Sequence, residues 1–136
     1  MAGSGGRWTR VKALAAQERV VVAAACERFI AEILKPRFLP EVRRTSFNYP
    51  IDILGKWRGS KSSFIIRYRS GFAENAGEDF DSAFTRLDDL EECLAETRFE
   101  VLWRRHTGQW WRSQASVTLE EALRLIEIEP LLQPHT

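Results

Sequence analysis

The sequence predicts an α+β domain in which an antiparallel sheet is packed by an N-terminal and a C-terminal helix. Three observations carry that expectation. Apolar residues recur at helical spacing between 12 and 34, several segments between 42 and 112 alternate apolar with polar residues, and Thr118 with Glu121 opens a second helical pattern. A length of 136 residues suits one two-layer domain with a real core and is short for two. The expected division is a flexible tail over 1–11, one α+β domain over 12–132 and a loose C-terminus over 133–136.

The first helix is expected from Lys12 to Leu34, where alanines, Gln17, Glu18, Arg19 and Glu27 favour helix. Ala25, Phe29 and Ile33 recur every four residues and can share a buried face, which Val22 and Cys26 extend. Cys26 therefore reads as a small hydrophobe in packing rather than a nucleophile. Lys35-Pro36 is predicted to end the helix, because the residue before a proline is pushed out of the α region. Pro36 to Pro40 then reads as a stiff connector.

Two short alternating segments follow, Val42 to Phe47 and Pro50 to Trp57, interrupted by Asn48-Tyr49-Pro50. Gly55 to Lys61 reads as a glycine-containing basic turn. It lacks the glycine spacing and the following helix of a phosphate-binding loop. The run Ser62 to Ser70 is a strand with Phe64, Ile66 and Tyr68 on one side and Ile65, Arg67 and Arg69 on the other. Gly71 to Asp81 reads as an acidic connector. Asp79-Phe80-Asp81-Ser82 lacks the ligand register of a calcium loop, so no metal site is expected there. Ser82 to Leu87 reads as a strand and Asp88 to Glu96 as a short helix with an acidic start.

The strongest local signal is Arg98 to Arg112. Two apolar arms flank His106-Thr107-Gly108-Gln109, the writing of a β-hairpin in which glycine supplies a positive φ. Phe99, Val101 and Trp103 share one side of the first arm, so Trp103 is expected in the core. Trp110 and Trp111 are neighbours and must point to opposite faces, which leaves one of them for an interaction surface. Thr118 and Glu121 form a capping box for the last helix, which Pro130 stops.

The hairpin, Cys26-Glu27-Arg28-Phe29, Pro36 and Pro40-Glu41-Val42-Arg43 together resemble a bacterial family known as domain of unknown function 3024. The resemblance covers roughly 12–130 and implies an N-terminal helix, a sheet ending in a Trp-Arg hairpin and a C-terminal helix. The acidic 71–81 stretch and the helix expected after Asp88 depart from that pattern. No substrate or catalytic residue comes with the resemblance.

The net charge of +1 conceals an asymmetry, since residues 1–70 carry 14 Lys/Arg against 5 Asp/Glu and residues 71–136 carry 6 against 14. The fold either brings the halves together and cancels the field or separates them into faces of opposite sign. The sequence contains no apolar run long enough to span a membrane, and Cys26 and Cys93 sit in no paired motif, so a cytoplasmic protein with reduced thiols is expected. His106 lies beside a turn with no nucleophile placed next to it. His135 lies too near the C-terminus for a preorganised site. No catalytic residue, cofactor or metal is assigned. The reading is a small structural or protein-interaction module, with an unknown protein partner or a homo-oligomer. The alternative is single-stranded nucleic-acid binding, in which Trp57, Trp110 and Trp111 stack on bases and Arg58, Arg67, Arg69 and Arg112 reach phosphates.

Overall fold

In the computed structural model the chain is described over residues 2–90 and 97–134, with the side chains of the long first helix described from 16 onward. The expected α+β architecture is present: a five-stranded antiparallel sheet in the order β1-β2-β3-β4-β5, with an N-terminal and a C-terminal helix. The strands are β1 Asn48–Arg58, β2 Lys61–Ser70, β3 Asp79–Asp89, β4 Phe99–Arg104 and β5 Trp110–Val117. Each pairs with the next in the chain, so the sheet is a meander built by hairpin-type connections.

Helix α1 runs from Ala2 to Phe29, ahead of the expected start at Lys12, and the helical path does not stop at Lys35-Pro36. It passes through a π turn, Ile30–Leu34, into α2, Lys35–Phe38, and the Lys35 N–H donates to the Ile30 carbonyl. The physical reason lies in the proline. Pro36 has no N–H to give, and in a regular helix its ring presses on the carbonyl four residues back. Widening the preceding turn to π relieves that conflict. Val22, Cys26, Phe29, Ile30 and Leu34 form the buried stripe, while Ala25 and Ile33 are half-buried beside it.

These residues pack with Ile53, Phe64, Ile66, Phe84, Leu87, Phe99 and Val101 from the sheet, and with Ala122 and Ile126 of α3, Leu119–Ile128. Phe64 sits at the centre, edge-on to Phe29 and tilted against Phe84. Removing such side chains from water is the main stabilising term, about 1.5–3 kcal/mol for each large one fully buried. At Gly55 the helix comes close to β1, since a Cβ there would lie 3.4 Å from Ile30 Cδ1.

The capping box forms as expected: Thr118 Oγ1 accepts from the Glu121 N–H at 3.2 Å. The far end of α3 is held more firmly than the sequence suggests. Gln133 Nε2 donates to the Glu127 carbonyl at 2.9 Å and the Ile126 carbonyl at 3.2 Å, and Arg37 donates to the Glu127 carbonyl as well. These donors satisfy carbonyls that every helix C-terminus leaves open. Gln133 and Pro134 are consequently buried, so the C-terminal segment is docked at least through 134 rather than loose from 133. Leu132 is fully buried, and its carbonyl accepts from Thr85 Oγ1 at 2.7 Å.

Other departures share a cause. Val42 to Phe47 is irregular and exposed rather than a strand, and the Phe47 carbonyl takes the Gly71 N–H at 2.9 Å. A Cβ on Gly71 would lie 1.9 Å from the Thr45 carbonyl oxygen, so this crossing requires glycine. The β1–β2 turn shrinks to Gly59-Ser60, with Gly59 at φ +61. β3 starts at Asp79, inside the expected acidic connector, and continues through Asp88 and Asp89, which were expected to open a helix. The rest of that expected helix, 91–96 with Cys93, lies outside the described residues.

Candidate functional site

Register sorts the candidate residues by face. Arg67↔Asp81 and Arg69↔Asp79 are cross-strand partners of β2 and β3 that point away from the helices, while Asp52, opposite Arg67 on β1, pairs with Lys35 of α2 at 3.0 Å. Arg67 grips Asp81 through Nε–Oδ1 at 2.7 Å and Nη2–Oδ2 at 3.1 Å, with Lys56 Nζ at 3.3 Å on the same carboxylate. Arg69 grips Asp79 through the same two contacts at 2.7 and 3.1 Å. The guanidinium hydrogen bonds hold both carboxyls below the usual carboxylate range and push both arginines further up. Along this face, cations of the first half of the chain are joined to acids of the second.

The pattern continues toward β5. Arg86 pairs with Asp88 at 2.7 and 3.0 Å and lays its guanidinium 4.8 Å over the Trp110 ring. Arg112 Nε donates to Glu100 at 2.9 Å. Ile65 and Leu102, on the same face, are 6% and 8% exposed even though they point away from the helices. Their neighbours there include Lys56, Arg67 and Arg86, whose aliphatic stems shelter apolar surface.

The structure therefore does not bring all the sequence-predicted site residues together. Arg58, Arg67, Arg69, Trp110 and Arg112 share the open face by register, whereas Trp57 and Trp111 belong to the helix-facing side. Trp57 packs against the core, and its Nε1 is buried without a partner among the described residues. Trp103 packs against the same core but is half-buried, lying near the end of β4 beside Trp111.

A different cluster emerges at the tip of the β4–β5 hairpin. The Arg105 N–H donates to the Gln109 carbonyl and the Gly108 N–H to the Arg105 carbonyl, each at 2.8 Å, while Gly108 adopts φ +86 as the turn demands. Trp111 is 47% exposed, and the Arg105 guanidinium lies 4.7 Å over its ring. Among the described residues, neither Arg104 nor Arg105 has a carboxylate within ion-pair distance. His106 is exposed beside them. Between this tip, β3 and the C-terminal turn lies an open groove of about 280 Å³, with Ile66, Tyr68, Phe84 and Leu131 as its apolar lining, Arg104 and Arg105 as its cationic rim and His106 beside them.

Sequence reasoning did not single out Arg104 and Arg105 among the hairpin arginines and missed the groove. The signal available was adjacency, since two arginines directly before a tight turn have no neighbour in sequence to neutralise them. Cys26 behaves as expected. It is a free thiol, 3% exposed, and burial pushes it up to about 11 against the opposing hydrogen bond with Ser62, which leaves it protonated and unreactive at neutral pH.

The sequence model of the family described as domain of unknown function DUF3024 matches residues 5–132. The chain belongs to that family. No curated protein and no solved structure matches it. For this DUF3024 chain the matched span takes in every strand, α3 and the hairpin tip, so the tip and groove lie inside the family's domain. Among the described residues, no helix is long and apolar enough to cross a membrane.

Proposed function

We propose that this DUF3024 chain is a cytoplasmic protein-interaction module whose contact surface is the β4–β5 hairpin tip. The observation that carries the reading is the contrast in charge pairing: Arg67, Arg69, Arg86 and Arg112 are each engaged by a carboxylate, whereas among the described residues Arg104 and Arg105 are not. An exposed Trp stacked under an Arg, beside an apolar groove, is the composition of an interface anchor. A reducing compartment fits the buried unpaired Cys26.

Single-stranded nucleic acid is the second reading, supported by Trp111 and Trp110 on the same hairpin with Arg104, Arg105 and Arg112. It is the weaker one, because Asp79 and Asp81 neutralise Arg67 and Arg69, and backbone affinity scales with the cations free to displace counterions.

Site-specific photocrosslinking in cells separates the two readings. A crosslinking amino acid at Thr107 is expected to trap discrete protein adducts, and one at Ser63, on the open face, is not. Trp111→Ala with Arg105→Ala is expected to remove the adducts. Equal trapping at both positions, or none at Thr107, refutes the hairpin reading. Saturable, salt-sensitive binding of labelled single-stranded RNA or DNA that is lost in the same variant selects the second reading instead.

A further inference from the structure

The groove meets β3 at Ser82, Ala83 and Phe84. β3 bulges there, since Ala83 pairs with Ile65 and Thr85 with Phe64, which leaves Phe84 between the two pairs. What places the groove beside the strand is the extent of pairing. β4 pairs with β3 only from Thr85 to Asp89, whereas β3 begins at Asp79. The stretch from Asp79 to Ala83 therefore has β2 on one side and no paired strand on the other, with the groove at its Ser82-Ala83 end.

Backbone direction follows from the bulge that starts β3. The Gly77 N–H donates to the Ser70 carbonyl at 2.9 Å, the Ser70 N–H donates to the Glu78 carbonyl at 2.8 Å, and Gly77 sits at φ +88. From that anchor, antiparallel alternation turns the backbone groups of Phe80 and Ser82 toward β2 and those of Asp79, Asp81 and Ala83 outward. Among the described residues, no turn or loop backbone group takes up these outward donors and acceptors. The two outer strands differ in this respect. β1 is broken by a register shift between Pro50 and Asp52, and the β4–β5 ladder shifts twice, the irregularity that blunts an edge. The pairing of β3 with β2 is unbroken from Asp79 to Ala83, between the Gly77 bulge and the register shift at Phe84.

We infer that this edge receives an extended segment of a partner protein, added to β3 as a further strand in line with β4, with an acidic residue against Arg104 and Arg105. The inference rests on the interaction-module reading and names its partner chemistry. The open stretch spans roughly 17 Å at about 3.4 Å per residue, enough for a short strand whose main chain supplies affinity. Tyr68 and Phe84 on the helix side of the slot select an apolar residue at alternate positions. The unpaired guanidiniums at one end select a carboxylate. A second copy of β3 in the slot is disfavoured, because it sets Asp79 and Asp81 of one chain against those of the other.

Random dodecapeptides displayed on phage are selected on the intact chain, and the enriched sequences are titrated by fluorescence anisotropy as labelled peptides. Enrichment of alternating apolar residues with an acidic residue at a constant position is expected. Arg104→Glu with Arg105→Glu is expected to weaken these peptides by about tenfold or more. Ala83→Pro should do the same, since its N–H faces outward and its loss spares the β2 ladder. Amide hydrogen exchange on the unaltered chain is independent of any variant: the Asp79, Asp81 and Ala83 amides exchange freely alone and gain protection with bound peptide. Peptides that bind and leave those amides unprotected overturn strand addition. If their binding is still lost in Trp111→Ala with Arg105→Ala, the hairpin reading stands, and if it is not, both fall. Absence of any enriched sequence, or a homodimer in light scattering that protects the same amides without peptide, also overturns the inference.

Discussion

Arg67 and Arg69 stand in one strand two residues apart, and Arg104 and Arg105 stand side by side before a turn; in sequence each pair reads as a cationic patch. The fold treats them differently. Arg67 and Arg69 point onto one face of β2 and meet Asp81 and Asp79 of β3, so an excess of positive charge in the first half of the chain is answered by acids of the second. Arg104 and Arg105 fall beyond the last β3–β4 pair, and the strand still opposite, β5, sets Trp110 rather than an acid against Arg104. Surface charge here is decided by strand register more than by composition, and of these two pairs the one without an acid among the described residues keeps its electrostatics available to a partner.

The largest expected effect tests whether the helix-side core holds the sheet that carries both arginine pairs. Phe64 points from β2 to the helix side, between Phe29 and Phe84, with no exposed surface. Phe64→Ala is expected to lower unfolding free energy by about 3–5 kcal/mol in urea titration. A loss below about 1 kcal/mol would show that the helix-side core does not hold the sheet that carries both arginine pairs.

Gly71 connects β2 to the loop that delivers Asp79 and Asp81 to their partners. A Cβ would collide with the backbone of Thr45 and Phe47, which cannot swing away as a side-chain tip can. Gly71→Ala is expected to cost roughly 1–3 kcal/mol. Hydrogen exchange should show loosening at the start of β3 and none at the hairpin tip. Equal loosening at both would mean that the two regions are not independent.

These features also show how far the sequence is legible. The hairpin was readable because Gly108 and the flanking alternation are local, and the capping box because Thr118 and Glu121 satisfy each other within one turn. The passage of the helix through Pro36 was not readable, since the π turn that permits it leaves no residue signature. β3 was cut short because aspartate is a poor strand former on its own. Asp79 and Asp81 are strand residues through the arginines opposite them, a relation visible only once the register of β2 is known. Among the candidate binding residues, neighbour alternation correctly separated Trp110 from Trp111, but nothing in the sequence showed that Trp57 faces the helices or that Arg67 and Arg69 are neutralised.

A smaller effect is expected from acid. Asp79 and Asp81 titrate below their unfolded values because their arginine partners favour the charged form. Their stabilisation is therefore complete above the unfolded carboxylate range, near pH 4, and is lost as pH falls through the depressed folded values. Asp79→Asn with Asp81→Asn should flatten that acid limb in a series of melting temperatures from pH 5 to pH 2, while near neutral pH the change stays small because the pairs are solvent-screened. An unchanged acid limb would assign it to other carboxylates and remove these pairs from the comparison.

The smallest effect belongs to the tip. Arg104→Gln with Arg105→Gln breaks no described ion pair, so the specific interaction at stake among the described residues is the cation–π stack on Trp111, worth about 0.5–1 kcal/mol at an exposed site. Thermal stability at neutral pH should shift by no more than that, and the acid limb should match the unaltered chain, because neither arginine depresses a carboxyl. Trp fluorescence should respond all the same, since removing a guanidinium from the Trp111 face changes the polarity around its ring. A variant that melts as the parent does, with altered Trp emission, is the signature of a surface residue held in position for something outside the fold. A loss of several kcal/mol would mean that the tip arginines are structural after all, and the difference between the two pairs would collapse.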